Sequence, residues 1–128
     1  MGVKEQNVLQ FFDQHSAALP LYERFADKLA ERFLQTEIKV QKTQITLKNR
    51  HIYACVSFLR VRKKAELPDP YFVLTLGLPY PLESDRVAAK TEPYPGRWTT
   101  HIVISEPADL DEELFQWIRQ AYEFAESK

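Results

Sequence analysis

The chain has 128 residues, of which 45% are hydrophobic and 27% are charged, as in one ordinary globular domain rather than a disordered segment. Its single cysteine, Cys55, excludes an intramolecular disulfide and favours a reducing compartment. The charged N-terminus lacks the apolar region of a signal peptide, and no apolar run approaches the roughly 20 residues of a membrane span. We therefore predict a single cytoplasmic domain over residues 1–128, without a membrane partner.

The net charge of −1 conceals an uneven distribution. Residues 38–64 contain eight basic side chains and no acidic one, whereas residues 106–126 contain seven acidic side chains and one basic side chain, Arg119. Such asymmetry can mark a surface for an anionic partner. The alternative is that the basic sheet and the acidic helix balance each other within the fold.

The first third of the chain carries helical signals. We expect residues 1–18 to form a short helical arm around the apolar stretch 8–12. Pro20 suits the first turn of a second helix. The apolar residues that follow are spaced four apart and predict one buried helix face: Leu21, Phe25, Leu29 and Phe33.

Strand signals begin near Glu37 and continue through the middle of the chain. The predicted strands lie at 38–41, 44–47, 52–59, 71–77, 86–92 and 98–105. Asn49 and Arg50 predict a hairpin turn, and the cluster Pro93-Tyr94-Pro95-Gly96 predicts another. In the last strand, Trp98, Thr100, Ile102 and Ile104 alternate with Thr99, His101, Val103 and Ser105.

A closing helix is predicted to follow a capping box formed by Asp109 and Glu112. Its apolar stripe has helical spacing and contains Leu110, Leu114, Trp117, Ile118, Ala121 and Ala125. Strands joined by short turns favour an antiparallel sheet with its helices on one side. The predicted fold class is therefore a two-layer α+β domain, in which the N-terminal helices and the C-terminal helix pack on one face of an antiparallel sheet of five or six strands.

Several short motifs follow one another in an order that is similar to the sequence pattern of a known family. They include Lys42-Thr43-x-Ile45-x-Leu47, Arg62-Lys63, Arg97-Trp98-Thr99-x-His101 and Asp109-x-Asp111-x-Glu113-Leu114-x-x-Trp117-Ile118. The chain from about Leu21 to Tyr122 resembles the bacterial family of domain of unknown function 5655. The resemblance implies a fold and a set of polar positions, and no established activity. Where this chain has Thr100, the family pattern often has a histidine.

Several kinds of chemistry are disfavoured. The three histidines lack the spacing of metal ligands, so we predict no metal site. Three glycines in the whole chain leave no phosphate loop or dinucleotide motif, and we predict no cofactor. Cys55, in an apolar strand, is expected to be a small buried core residue rather than a nucleophile. Trp98 and Trp117 lie on apolar stripes and are expected in the core.

Basic and polar side chains give the candidate site. Arginine binds phosphate and carboxylate groups with paired hydrogen bonds, and His101 offers a further donor. The candidate ligand-binding residues are Lys42, Thr43, Arg62, Arg86, Arg97 and His101.

The favoured function is a binding module for an anionic ligand, either nucleic acid or a phosphorylated or carboxylated small molecule. One alternative is an enzyme that acts on a small anionic substrate with His101 as base. Another is an accessory domain that binds a protein through the acidic last helix. A solvated basic face without a ligand is the simplest alternative. The sequence does not predict an oligomeric state.

Overall fold

The computed structural model describes residues 3–127, with the side chains of residues 6–63 and 65–127. The three α-helices are α1 (Val3–Phe11), α2 (Leu19–Arg32) and α3 (Glu112–Glu126). The six strands are β1 (Glu37–Val40), β2 (Gln44–Lys48), β3 (Ile52–Ser57), β4 (Phe72–Leu78), β5 (Val87–Tyr94) and β6 (Arg97–Ile104). Short 3-10 segments span Asp13–Ala18, Lys64–Glu66 and Pro107–Asp109. The predicted domain 1–128 includes residues 1, 2 and 128, and the predicted arm 1–18 includes residues 1 and 2. These three residues lie outside the described residues.

The strands form one sheet in the order β1-β2-β3-β4-β6-β5, and each neighbouring pair is antiparallel. This confirms the predicted α+β class and the antiparallel sheet. β4 lies inside the sheet, and its near-continuous apolar run is buried. The predicted strand at 86–92 instead continues to Tyr94, and Gly96 adopts a φ of 82° in the tight turn to β6, a conformation that glycine adopts without steric cost.

The helices pack on one face of the sheet, called here the core face. Alternate residues of the central strands are buried against them, including Leu74, Leu76, Ile102 and Ile104. Side chains at the intervening positions point to the opposite side of the sheet, called here the second face. None of the helices in the described part of the chain has both the length and the apolar composition of a membrane span.

The two predicted helix stripes are buried. Phe25 of α2 lies with its ring centroid 5.7 Å from that of Phe72 and 6.3 Å from that of Phe115, so that α2, α3 and the sheet share one core. Trp117 is 9% exposed and belongs to this core. Trp98 is half-buried and lies outside it, which corrects the expectation from its strand, because it lies beside the β5–β6 turn.

The N-terminus of α3 differs from the predicted capping box. Asp111, not Asp109, caps the helix and accepts a hydrogen bond from the Leu114 amide at 3.0 Å. Asp109 instead accepts from the Ser105 and Glu106 amides at 2.9 and 3.1 Å. Asp109 and Asp111 both have side chains that can cap a helix. The sequence alone therefore did not show which of them belongs to the 3-10 segment and which precedes the α-helix.

Replacement of Asp111 by alanine is expected to lower the free energy of unfolding by about 1 kcal/mol, the usual cost of losing an N-cap. Desolvation opposes the shift, but hydrogen bonds from Arg86 and the Leu114 amide lower the pKa of Asp111 below its usual value. The native state therefore favours the ionised form, and this stabilisation is present above the unfolded-state pKa and is lost as pH falls through the folded-state pKa.

The measurement is urea unfolding of the parent and the Asp111→Ala variant at pH 7 and at progressively acidic pH. The difference in unfolding free energy is expected to shrink in acid. A difference that is constant or grows in acid would contradict the assigned cap.

Candidate functional site

Four side chains form a row across the middle of the second face. Thr46 is the register partner of Cys55, Cys55 of Thr75, and Thr75 of His101. Register partners on neighbouring antiparallel strands have Cβ atoms about 4.5–5.5 Å apart. The row is therefore continuous, although its members are separated by up to 55 positions along the chain.

Hydrogen bonds hold both ends of this row. The Thr75 Oγ1 and His101 Nδ1 atoms are 2.8 Å apart. At the other end, the Thr46 hydroxyl donates to Gln41 Oε1 at 2.8 Å and accepts from Gln44 Nε2 at 3.0 Å. These bonds fix the side chains at both ends of the row.

Arg97 lies on the same face, next to the row. A Cβ atom at Gly77 would come within 3.0 Å of Arg97 Cζ, so the absent side chain at Gly77 leaves the space that the guanidinium occupies. Gly77 is two residues from Thr75 along β4, which corresponds to about 7 Å. The guanidinium therefore lies near the middle of the second face.

Arg97 is half-buried, and within the described part of the chain no hydrogen bond or ion pair involves its side chain. Two arginines that contact α3 differ in this respect. Arg32 pairs with Glu112 at 2.7 Å, and Arg86 pairs with Asp111 at 2.9 Å. Within the described residues, Arg97 thus combines partial burial with an unused set of hydrogen-bond donors.

The structure corrects the position expected for Cys55. Its side chain is half-buried on the second face rather than in the core. Burial raises the pKa of its thiol, although the Thr46 hydroxyl and the Arg97 charge act in the opposite direction. His101 lies two strands away, with Thr75 between them in the row and hydrogen-bonded to the His101 ring, and within the described residues no hydrogen bond joins Cys55 to His101.

The three histidines occupy separate environments. Burial lowers the pKa of His101 below its usual value, which favours the neutral ring at pH 7. His51 Nδ1 lies 3.0 Å from the Ala125 carbonyl, and His15 stacks on Phe58 with ring centroids 3.8 Å apart. Across the described residues, no three His, Cys, Asp or Glu side chains form a group that could hold a metal ion.

The His101 environment gives a direct prediction. A proton-detected NMR titration is expected to show the pKa of His101 below 6.5, because burial disfavours the imidazolium form. Folding then becomes less favourable as pH falls below the unfolded-state pKa. Replacing Thr75 with valine tests the hydrogen bond and is expected to change the ring-nitrogen shifts of His101. A His101 pKa above 6.5 in the parent would contradict this assignment.

The six candidate residues do not form one cluster. Arg97 and His101 share the second face. Arg62 and Arg86 line a shallow hollow of about 270 Å³ near the opposite end of β6, together with Val103. From Arg97 to Val103, β6 covers about 20 Å. Lys42 and Thr43 are exposed in the turn between β1 and β2.

Arg86 is already occupied by the protein itself. Its guanidinium donates to Asp111, to Glu113 and to the Asp109 carbonyl, and it lies 5.4 Å from the Trp117 ring centroid. Its charge therefore stabilises the start of α3. By contrast, among the described side chains of residues 38–64, none forms an ion pair with the acidic residues of α3.

Sequence reasoning missed several residues of the second face: Gln44, Thr46, Thr75 and Gly77. The sequence carried only a weak sign of these residues, as polar side chains within otherwise apolar stretches. Thr75 is the one polar residue in the apolar run 72–78, and Gln44 and Thr46 alternate with Ile45 and Leu47. Thr100, where the family pattern often has histidine, is fully buried on the core face, so its side chain is directed away from His101.

Comparison with known proteins agrees with the motifs. The family model described as Domain of unknown function (DUF5655) matches residues 9–125, which include α2, the whole sheet and nearly all of α3. No curated protein and no solved structure gives a significant match. The chain therefore belongs to the DUF5655 family.

Proposed function

We propose that this domain is a small binding module for an anionic ligand, with Arg97 as the main contact. The observation that carries the proposal is the half-buried guanidinium of Arg97, which has no carboxylate partner among the described residues. Partial burial weakens the hydration of a charge and makes an opposite charge more favourable. A bound carboxylate or phosphate would supply that charge with paired hydrogen bonds.

The neighbouring side chains suit the same ligand. When Thr75 donates to His101 Nδ1, the neutral imidazole carries its proton on Nε2 and offers it as a donor. The row also presents the half-buried thiol of Cys55. On the described part of the second face, the register-paired residues near Arg97 are those at positions 46, 55, 75, 77, 99 and 101. None of these six residues is a carboxylate, so an anion meets no like charge at these positions.

The same positions favour a small molecule over nucleic acid. Domains that bind single strands on a sheet stack bases on aromatic side chains. The second-face residues of β3, β4 and β6 named above include none, and the exposed Tyr94 of β5, the register partner of Arg97, supplies one ring rather than a row of rings. We therefore propose a phosphorylated or carboxylated small molecule as the ligand class. Arg62, Lys42 and Thr43 are then peripheral, and Arg86 is structural.

Titrations with pyrophosphate, citrate and a single-stranded oligonucleotide test this ligand class. In calorimetry at low and moderate salt, we expect pyrophosphate or citrate to bind with a modest salt effect and to raise the melting temperature. The oligonucleotide is expected to bind weakly. Tight oligonucleotide binding that falls steeply with salt would assign the surface to nucleic acid, and no binding of any anion would refute the proposal.

An enzyme that acts on a small anionic substrate is the second candidate. The lowered pKa of His101 keeps its ring neutral at pH 7. This role requires the other tautomer, in which Nδ1–H donates to the Thr75 hydroxyl and Nε2 is free to accept a proton. In that case Arg97 would hold the substrate and His101 would be the base.

We further propose that the domain works in a bacterial cytoplasm, where its free cysteine stays reduced.

A further inference from the structure

The hairpin between β5 and β6 brings an exposed aromatic ring next to the anion site proposed above. Tyr94 is the register partner of Arg97 across the tight turn that contains Gly96. Paired residues on antiparallel strands project to the same side of a sheet, with Cβ atoms about 4.5–5.5 Å apart. Because the Arg97 side chain lies over Gly77 on the second face, the Tyr94 side chain begins on that face too.

The fold makes no use of the Tyr94 ring. Tyr94 is 53% exposed, and within the described part of the chain no hydrogen bond, ring contact or cation–π contact involves its side chain. Every other tyrosine contacts another ring or donates a hydrogen bond to a side chain: Tyr22, Tyr53, Tyr71, Tyr80 and Tyr122. The ring of Tyr94 is therefore available to stack on a ligand.

The Arg97 guanidinium and the Tyr94 ring stay separate because their side chains diverge. The missing side chain at Gly77 leaves space for Arg97 to extend over β4, away from β5. β6 lies between β4 and β5, and neighbouring strands are about 4.8 Å apart, so β4 and β5 are about 10 Å apart. A ligand that reaches both groups must therefore cross β6.

Small hydroxyl side chains occupy the surface that such a ligand would cross. Gly77, Thr99 and Thr91 form one register row across β4, β6 and β5, which places both threonines on the second face. A threonine hydroxyl can donate and accept hydrogen bonds. Among the described residues, neither of these two hydroxyls has a hydrogen-bond partner. The second face thus presents a cation, two free hydroxyls and an aromatic ring in that order.

One carboxylate sets the direction of the ligand. Glu92 accepts a hydrogen bond from the Gly96 amide at 3.2 Å, so its negative charge lies at the turn that follows Tyr94. An anionic group is repelled there and is attracted to Arg97 over Gly77. The Tyr94 end of the surface therefore suits the uncharged part of a ligand.

We propose that the ligand is a nucleoside monophosphate, with its phosphate on Arg97, its sugar over Thr99 and Thr91, and its base on the Tyr94 ring. This inference rests on the proposed function and narrows its ligand class. Arginine binds phosphate with paired hydrogen bonds, and aromatic side chains stack on bases. One exposed ring suits one base, whereas a nucleic-acid strand requires several rings in succession.

Calorimetry on the full chain with adenosine monophosphate, ribose phosphate and pyrophosphate tests this inference. Ribose phosphate keeps the sugar and the phosphate but lacks the base, so the comparison isolates the ring contact. We expect adenosine monophosphate to bind at least about fivefold more tightly than ribose phosphate, because of base stacking. Equal affinities of these two, with pyrophosphate bound, would overturn the inference and leave the proposed function intact. If none of the three binds, both fail.

Two variants examine the ring itself. Tyr94→Ala is expected to reduce the affinity for adenosine monophosphate to that of the parent for ribose phosphate, and to leave pyrophosphate binding unchanged. Tyr94→Phe keeps the ring and is expected to bind all three ligands as the parent does. Both variants are expected to fold, because Tyr94 is exposed, and circular dichroism verifies this. Parent-like binding of adenosine monophosphate by folded Tyr94→Ala would refute the assigned base position.

NMR of the parent gives a test that needs no variant. A base stacked on Tyr94 is expected to shift the ring-proton signals of Tyr94 during titration with adenosine monophosphate, whereas ribose phosphate is expected to leave them nearly unchanged. Tyr94 ring signals that do not move at saturating adenosine monophosphate would contradict the stacking contact.

Discussion

Replacement of Trp117 by alanine is expected to lower the free energy of unfolding by about 3–5 kcal/mol, as large aromatic truncations in cores do. Trp117 is 9% exposed on the buried stripe of α3, and the Arg86 guanidinium lies over its ring. The variant loses apolar burial and the cation–π contact together. It is therefore expected to destabilise the domain more than the loss of the Asp111 cap.

Urea unfolding followed by circular dichroism measures this effect. Gln116→Ala is the matched control, because Gln116 is exposed on the same helix and surface changes there are usually within about 0.5 kcal/mol. A loss of less than about 1 kcal/mol for Trp117→Ala would show that the packing face of α3 is assigned wrongly.

Much of the fold could be predicted because its helices and strands carry regular apolar spacing. Leu21, Phe25, Leu29 and Phe33 were expected on one face from their spacing of four, and all are buried. The alternation of Ile102 and Ile104 with His101 likewise fixed the two faces of β6. These patterns depend only on the geometry of a helix or a strand.

β3 shows where such spacing is insufficient. Its pairing with β2 shifts register between Leu47 and Lys48, and the consecutive residues Tyr53 and Ala54 are both buried. A bulge of this kind breaks the alternation of side chains between the faces. In an unbroken apolar run, nothing in the sequence separated Cys55 from its buried neighbours, so its place on the second face was not predicted.

The candidate site was less predictable because it depends on strand order. Thr75 and His101 meet because β6 pairs with β4 rather than lying outside β5. Arg86 precedes β5 in sequence but contacts α3, since the start of that helix presents Asp111 and Glu113 to it. The sequence indicated which side chains bind anions well, but not which of them the fold already uses.

The largest functional effect is expected for Arg97→Ala. Hydrogen bonds to charged groups contribute about 1.5–3 kcal/mol, so its loss is expected to weaken binding of pyrophosphate about 10- to 100-fold. The variant is expected to remain as stable as the parent, because Arg97 has no ion-pair partner among the described residues. Arg50→Ala, an exposed residue of the β2–β3 turn, is the control for the same change in net charge.

Gly77→Ala offers an independent test of the same contact. Its methyl group would come within 3.0 Å of Arg97 Cζ and is expected to displace the guanidinium, which is the mobile end of a long side chain. We expect weaker anion binding with little change in stability. Calorimetric affinities equal to the parent's for both Arg97→Ala and Gly77→Ala would remove Arg97 from the site.

The most direct measurement is NMR mapping of the parent during a titration with pyrophosphate. The proposal predicts that the largest changes occur at the Arg97 side-chain Nε–H, at the backbone amides of Gly77 and Thr99, and at the His101 ring. The amides of α3 are expected to change little. Saturable changes confined to α3 or to the β1–β2 turn, with Arg97 unaffected, would contradict an anion site on the second face.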